Sequence, residues 1–266
     1  MDAVEVLSTI AQQVAICEKC ALHFSRKKVV PGEGQANASI MFIGEGPGFY
    51  ENEQGRPFVG PSGKFLDELL QSAGLKRTEV FIGNVVKCRP PANRDPQPEE
   101  LNACRPYLEQ QIDAINPKII VTLGRYSMAH FFPNGKISAI HGKGSWINNR
   151  FIVPMYHPAA ALHQPALRGA IVADFANLPG LLSKVFAGQQ TLEKPIITKG
   201  ASAKPAPALR VVIQPILEIL PPEETQVEIK PPTSPTPPTP NPSLEGGEGG
   251  KGGDDKLDKP VQLNLF

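Results

Sequence analysis

The chain has 266 residues, 41% of them hydrophobic, and a formal net charge of +1, which suits one or two buried cores and excludes a highly charged disordered chain. The charge is uneven, with residues 1–188 carrying +3 and residues 189–266 carrying −2; a body this weakly basic does not coat a duplex, so any nucleic-acid footprint is small. No basic-then-apolar leader opens the chain and no run reaches the apolar length of a membrane span, so the expectation is a soluble, cytoplasmic protein with no membrane partner.

Residues 3–16 place Val4, Leu7, Ile10, Ala11 and Val14 at helical spacing. The helix runs into Cys17-Glu18-Lys19-Cys20, then the basic Arg26-Lys27-Lys28 and a Pro31-Gly32-Glu33-Gly34 turn. Ser39 to Ile43 reads as the first strand. A Gly-rich loop follows, holding Glu45, Glu51 and Glu53, and a second Gly/Pro loop carries Arg56 and Phe58. Ser62 is placed to cap a helix through Phe65, Leu66, Leu69 and Leu70 to Gly74. Val80 to Val86 reads as the second strand, and a loop with four prolines, Arg89 to Pro98, leads to a helix from Glu99 to Ile115. Lys118 to Leu123 is the third strand, with a short helix after Gly124. Phe151 to Met155 is the fourth, leaving through Tyr156-His157-Pro158, and a final helix near Ala166–Leu178 closes the domain.

Short apolar strands separated by helices predict a three-layer α/β domain, with a central four-stranded parallel sheet flanked by helices. Glu45, Asn84 and His157 then gather beyond strand C-termini, where such sheets bind ligands. Three acids, an Arg and a Phe in one loop system point to a site, although each taken singly is also compatible with an ordinary surface turn. The domain is assigned to residues 1–188. Residues 189–260 form a Pro/Gly-rich linker expected to be disordered. Residues 261–266, Val-Gln-Leu-Asn-Leu-Phe, return to apolar side chains at the free end of that tether.

All four cysteines fall in two pairs: Cys17 with Cys20, and Cys88 with Cys104. Four thiolates complete a tetrahedral shell around zinc or hold a [4Fe–4S] cluster, and spacing alone does not choose between them. The site would staple the N-terminal helix to the loop after the second strand.

With GEGPG at 44–48, GRPFVGPSG at 55–63, NVVKCRPPANRDP at 84–96, HPAA at 157–160 and the four-cysteine arrangement, the chain resembles a family 4 uracil-DNA glycosylase. This is the iron–sulfur branch of the uracil-DNA glycosylase superfamily, and the likeness spans about residues 10–182. The resemblance implies a [4Fe–4S] cluster on Cys17, Cys20, Cys88 and Cys104, and removal of uracil from DNA. It places Phe58 against the face of the extruded uracil, Asn84 on the pyrimidine edge and His157 on a uracil carbonyl. It sets Glu51 near C5 and puts Glu45 and Gly46 in the water-handling motif. Another branch of the superfamily has Asp where Gly46 stands, so the water-activating group is Glu45 or backbone carbonyls. The resemblance also implies that Leu162, in the 157–162 loop, enters the minor groove. Arg56, Lys87, Arg89, Arg94 and Lys143 are candidate phosphate contacts. The last five residues resemble the peptide by which bacterial repair proteins dock on the DNA sliding clamp, through Gln262, Leu263, Leu265 and Phe266.

The chemistry is consistent with these residue types. A base must leave the stack before its sugar bond is reachable. The pocket then needs an aromatic plane, an edge reader with both donor and acceptor, and a donor for the charge that develops on uracil O2. No covalent nucleophile is required, so a monofunctional enzyme without lyase activity is expected; the chain is also expected to be a monomer. The competing expectation is a non-catalytic iron–sulfur or zinc DNA-binding scaffold recruited by its tail. A phosphoryl-transfer enzyme is disfavoured because the Gly-rich loop lacks the G-x-x-x-x-G-K-[ST] pattern.

Overall fold

The computed structural model describes residues 2–192. Of the linker expected at 189–260, residues 189–192 belong to a helix that ends at Leu192; the rest of it, and the clamp-like peptide expected at 261–266, lie outside the described residues.

Helix α1 (Ala3–Ala15) begins at a reciprocal cap. Asp2 accepts from the Glu5 amide at 2.8 Å, and Glu5 accepts from the Asp2 amide at 3.1 Å. Its buried Ile10 and Val14 face α4 (Pro98–Ile115). The strands are β1 (Glu33–Gly34), β2 (Ile40–Gly44), β3 (Phe81–Asn84), β4 (Ile119–Leu123), β5 (Ser145–Ile147) and β6 (Arg150–Met155). They form one sheet in the order β1-β3-β2-β4-β6-β5.

The four central strands are mutually parallel, as the apolar runs imply. The expected four-stranded parallel sheet is nevertheless corrected to a mixed sheet of six. β1 and β5 add antiparallel edges, and at two and three residues they are too short to carry a periodic pattern.

Side chains of the central strands alternate between two cores. Ile40, Phe42, Ile82 and Val121 face a cluster with Leu66 and Leu70 of α3 (Pro61–Ser72) and Phe175 and Leu178 of α8 (Arg168–Leu192). Met41, Ile43, Phe81 and Ile120 face Leu108, Ile112 and Ile115 of α4. Sequence placed no span of membrane-crossing length, yet the stretch from Pro165 to Ala187 is long and apolar enough by composition. Its residues Ile171, Phe175, Leu178, Leu182 and Val185 are buried in the first core, which is how the face of a core helix packs.

Ser62 does not cap α3. The N-cap is Gly60, and Pro61 takes the first helical position, where a missing N–H costs nothing. Two stretches read as loops are short helices: α2 (Phe49–Gln54) and α7 (Pro158–His163). Between β4 and β5 lie α5 (Arg125–Phe131) and α6 (Ile137–Ile140). The β2–β3 register sets Gly44 beside Asn84, so both strands deliver their C-terminal loops to one place.

Candidate active site

A cavity of about 490 Å³ opens above those strand ends. Glu45, Gly46, Glu51, Phe58, Asn84 and His157 all line it, with Leu162 at its rim.

Asn84 ends β3 and is 1% exposed. Its side-chain carbonyl is buried without a hydrogen-bond partner. Leaving a buried acceptor unmade costs about 1–3 kcal/mol, so such an atom calls for a ligand. Gly44 makes room for it, since a Cβ there would lie 2.5 Å from Asn84 Oδ1 and 2.7 Å from the Phe58 ring.

Phe58 is buried with φ +50°, a left-handed backbone that a bulky residue adopts only under constraint. The constraint is visible on both sides. Arg77 donates to the carbonyls of Pro57 at 2.6 Å and Phe58 at 3.3 Å. The Glu51 carboxylate accepts from the amides of Val59 and Gly60, each at 2.9 Å, and of Gly48 at 3.1 Å. Gly63 must lack a side chain, because a Cβ would sit 2.0 Å from the Phe58 carbonyl oxygen. Glu51 therefore ties the start of α2 to the start of α3 and aims Phe58 into the cavity.

The Phe58 ring stacks on His157 with centroids 5.4 Å apart and planes 25° apart. His157 is the N-cap of α7, and its Nδ1 accepts from the Ala159 amide at 3.1 Å. A neutral ring that accepts at Nδ1 carries its hydrogen on Nε2. Burial pushes the His157 pKa down to about 4, outweighing the opposing pull of Glu51. The imidazole is thus a neutral donor at physiological pH.

Burial pushes the Glu45 carboxyl up to about 7; Asp95 adds to the rise and Arg125 opposes it. The Glu45 carbonyl is engaged by the Val86 amide at 3.1 Å. Gly46 packs on Val86, where a Cβ would come within 2.7 Å of a methyl group. An Asp at 46 would therefore displace that core side chain.

The four cysteines surround a second, smaller cavity that also touches Val14, Leu22, Arg26 and Tyr107. Cys88 and Cys104 are buried, Cys17 and Cys20 partly so. Burial raises the thiols of Cys20 and Cys88, and pushes Cys104 up to about 11. The Arg26 guanidinium lies 3.6 Å from Cys88 Sγ, and the Lys87 amide donates to Cys104 Sγ at 3.3 Å. Among the described residues, no three His, Cys, Asp or Glu side chains converge tightly enough to hold a single ion. A soft thiol donor set in an apolar shell beside the Arg26 guanidinium fits a thiolate-ligated metal group.

Residues 31–176 match the family described as the uracil DNA glycosylase superfamily. A Type-4 uracil-DNA glycosylase of Sulfurisphaera tokodaii is 48% identical over 188 residues, covering 67% of this chain and 84% of its own. The chain belongs to the uracil DNA glycosylase superfamily. A Type-4 uracil-DNA glycosylase of Thermotoga maritima is 40% identical over 185 residues, 68% of this chain and 96% of its own. A Type-5 uracil-DNA glycosylase of Thermus thermophilus is 37% identical over 121 residues, 38% of this chain and 55% of its own.

The candidate phosphate contacts of this superfamily member divide. Lys87 is fully buried, with Nζ donating to the Asn84 main-chain carbonyl at 2.8 Å and to Gln111 Oε1 at 2.6 Å. That placement removes it from any contact with a phosphate and corrects the expectation. Arg56 is engaged by Glu33 through two bonds of 2.6 and 2.8 Å, and Arg94 by Glu100 at 2.6 and 2.9 Å. Arg89 lies over Phe49 and donates to Asn93 at 2.8 Å. Lys143 is exposed and bonds only locally, to the Ala139 carbonyl at 3.1 Å. Sequence reasoning missed Arg77, which clamps the Phe58 turn, and the Asp95–Arg125 ion pair beside Glu45. Arg77 follows a helix and Arg125 opens one, and neither carries a local signal for its role.

Proposed function

We propose that the chain is a monofunctional uracil-DNA glycosylase that hydrolyses the N-glycosidic bond of an extruded uracil, leaves an abasic site and so initiates base excision repair. The observation that carries this reading is the unpartnered, buried carbonyl of Asn84. Uracil presents a donor at N3, where cytosine presents an acceptor, so an amide carbonyl held there accepts the one and repels the other. Phe58 supplies the plane against which the base lies. Glu51, close to the same cavity wall, narrows the space beside C5 and disfavours the thymine methyl.

As the bond from N1 to C1′ breaks, its electron pair moves onto the base and negative charge gathers on O2. The Nε2 hydrogen of His157 meets that charge, and it does so more strongly in the transition state than in the bound substrate. Glu45, ionised above its raised pKa of about 7, balances the positive sugar and orients the water that adds to C1′. Gly46 keeps the approach open.

Cys17, Cys20, Cys88 and Cys104 hold a [4Fe–4S] cluster; a tetrahedral zinc would need its sulfurs only about 3.8 Å apart, from bonds of about 2.3 Å. The cluster's contribution is structural, joining α1, α4 and the loop after β3. Leu162, 47% exposed at the cavity rim, enters the minor groove as a wedge, with Arg56, Arg89, Arg94 and Lys143 near the backbone. The protein acts as a monomer. Gln262, Leu263, Leu265 and Phe266 dock on the bacterial sliding clamp; deleting 262–266 leaves cleavage of a short oligonucleotide unchanged and abolishes clamp binding.

Substitution of Asn84 tests the reading. Asn84→Ala cuts single-turnover uracil cleavage by about 10-fold or more. Asn84→Asp weakens uracil cleavage and admits cytosine. Unchanged cleavage in both variants would remove Asn84 from the pocket.

A further inference from the structure

The base pocket, Leu162 and the basic residues leave one prominent feature unused. Phe49 and Tyr50 open α2 on the wall of the cavity, and their side chains stay 52% and 50% exposed. Two adjacent aromatic rings half in water are costly to keep unless they meet something. The pair is ordered. The rings meet edge to face at 5.5 Å, and Tyr50 rests on Gly60, where an added Cβ would lie 3.0 Å from its ring. Arg89 places its guanidinium 5.3 Å from the Phe49 centroid, and the bond to Asn93 holds it there. Leu162 stands on the cavity rim as well.

We propose that Phe49 and Tyr50, with Arg89, form a stacking subsite for the nucleobase next to the extruded uridine on the same strand. The proposal rests on the glycosylase reading above and extends it from one nucleotide to two. A base drawn into the pocket leaves its sugar and phosphates at the mouth, where the next nucleotide of the strand must pass. Extrusion also deprives that neighbour of a stacking partner. An aromatic face at the mouth replaces the lost surface, and every base has a π-face to offer, so the contact tolerates any sequence. Arg89 adds a positive charge for the connecting phosphate and can itself stack. The occupant is a nucleotide rather than an apolar peptide because the rings continue the wall of the base pocket and have the Arg89 cation beside Phe49.

The test uses the full chain and single-stranded oligonucleotides with one uracil. The base on its 5′ or 3′ side is replaced, one at a time, by a tetrahydrofuran abasic spacer. For the wild type, the spacer on one side lowers kcat/KM by about 10-fold, the scale of losing one base–aromatic stack. In Phe49→Ala or Tyr50→Ala the same spacer costs less than about 2-fold, because the partner ring is already gone. Phe49→Leu, which keeps apolar bulk and the fold but lacks the π-face, behaves like Phe49→Ala, and Phe49→Trp restores the spacer penalty. Equal spacer penalties in wild type and variants, or none on either side in the wild type, overturn the subsite. Absence of uracil release both from every oligonucleotide and from a duplex bearing the same uracil overturns the glycosylase reading itself, and the two failures are therefore distinguishable.

Discussion

The Lys87 ammonium is fully buried and donates to the main-chain carbonyl of Asn84 at 2.8 Å. Its other partner, Gln111 on α4, donates in turn to the Pro31 carbonyl at 2.6 Å. A cation thus holds the last residue of β3 from beneath, one residue before the cysteine at 88. Lys87→Met keeps the length of the side chain and the amide bond to Cys104, but removes this support. A hydrogen bond from a charged group contributes about 1.5–3 kcal/mol, so single-turnover uracil cleavage falls by about 10- to 100-fold while iron per chain stays unchanged. Loss of iron in parallel with activity would make Lys87 a residue of the cysteine site instead.

The strained turn at Phe58 gives a second prediction. Arg77 holds two successive carbonyls there without reaching the cavity. Arg77→Ala relaxes Phe58 away from its left-handed conformation and lowers uracil cleavage by about 10-fold, with binding of uracil-free DNA unchanged. An equal loss in both measurements would show Arg77 to be a DNA contact.

The shifted groups in the cavity predict a pH profile. Burial raises Glu45 to about 7 and lowers His157 to about 4. Cleavage needs Glu45 ionised, so the single-turnover rate rises with pH up to about 7 and then levels, and His157 stays neutral throughout that range. Glu45→Gln is slower and loses the rise. For stability the signs are opposite. The raised pKa of Glu45 favours folding below its ordinary value of 4.5, a contribution lost as pH climbs through about 7. The depressed pKa of His157 favours folding above 6.5, a contribution lost as pH falls towards 4. A rate that is flat from pH 5.5 to 8 in the wild type would take Glu45 out of the chemistry.

The cysteine site predicts composition. Protein purified without oxygen is brown and carries about four Fe per chain. Cys88→Ala loses most of that iron and much stability, since α1 and α4 are then no longer joined to the loop after β3. Stoichiometric zinc without iron, in protein from iron-replete cells, would contradict the assignment.

Much of this was legible in the sequence because the informative residues lie at breaks in pattern. Glu45 and Asn84 follow apolar runs that end abruptly, and His157 precedes a proline, so their strands and their shared sheet edge could be read together. The edge strands β1 and β5 could not, because two or three residues carry no periodicity. Helix α2 was hidden by its polar composition between Gly48 and Gly55. Ser62 looked like a cap only because the Gly60-Pro61 start was passed over. Lys87 looked like a surface cation because nothing local announces that Gln111, 24 residues later, covers it. Clamps such as Arg77 on Phe58 depend on tertiary proximity that a linear reading does not contain.

The most direct measurement is the product released from a duplex bearing one labelled uracil. The account predicts free uracil in amounts exceeding the protein, with the strand intact until alkali cleaves the abasic site, and His157→Ala slowing release more than it weakens DNA binding. Binding to the duplex without any free uracil, from protein with its full complement of iron, would contradict it and favour a non-catalytic scaffold.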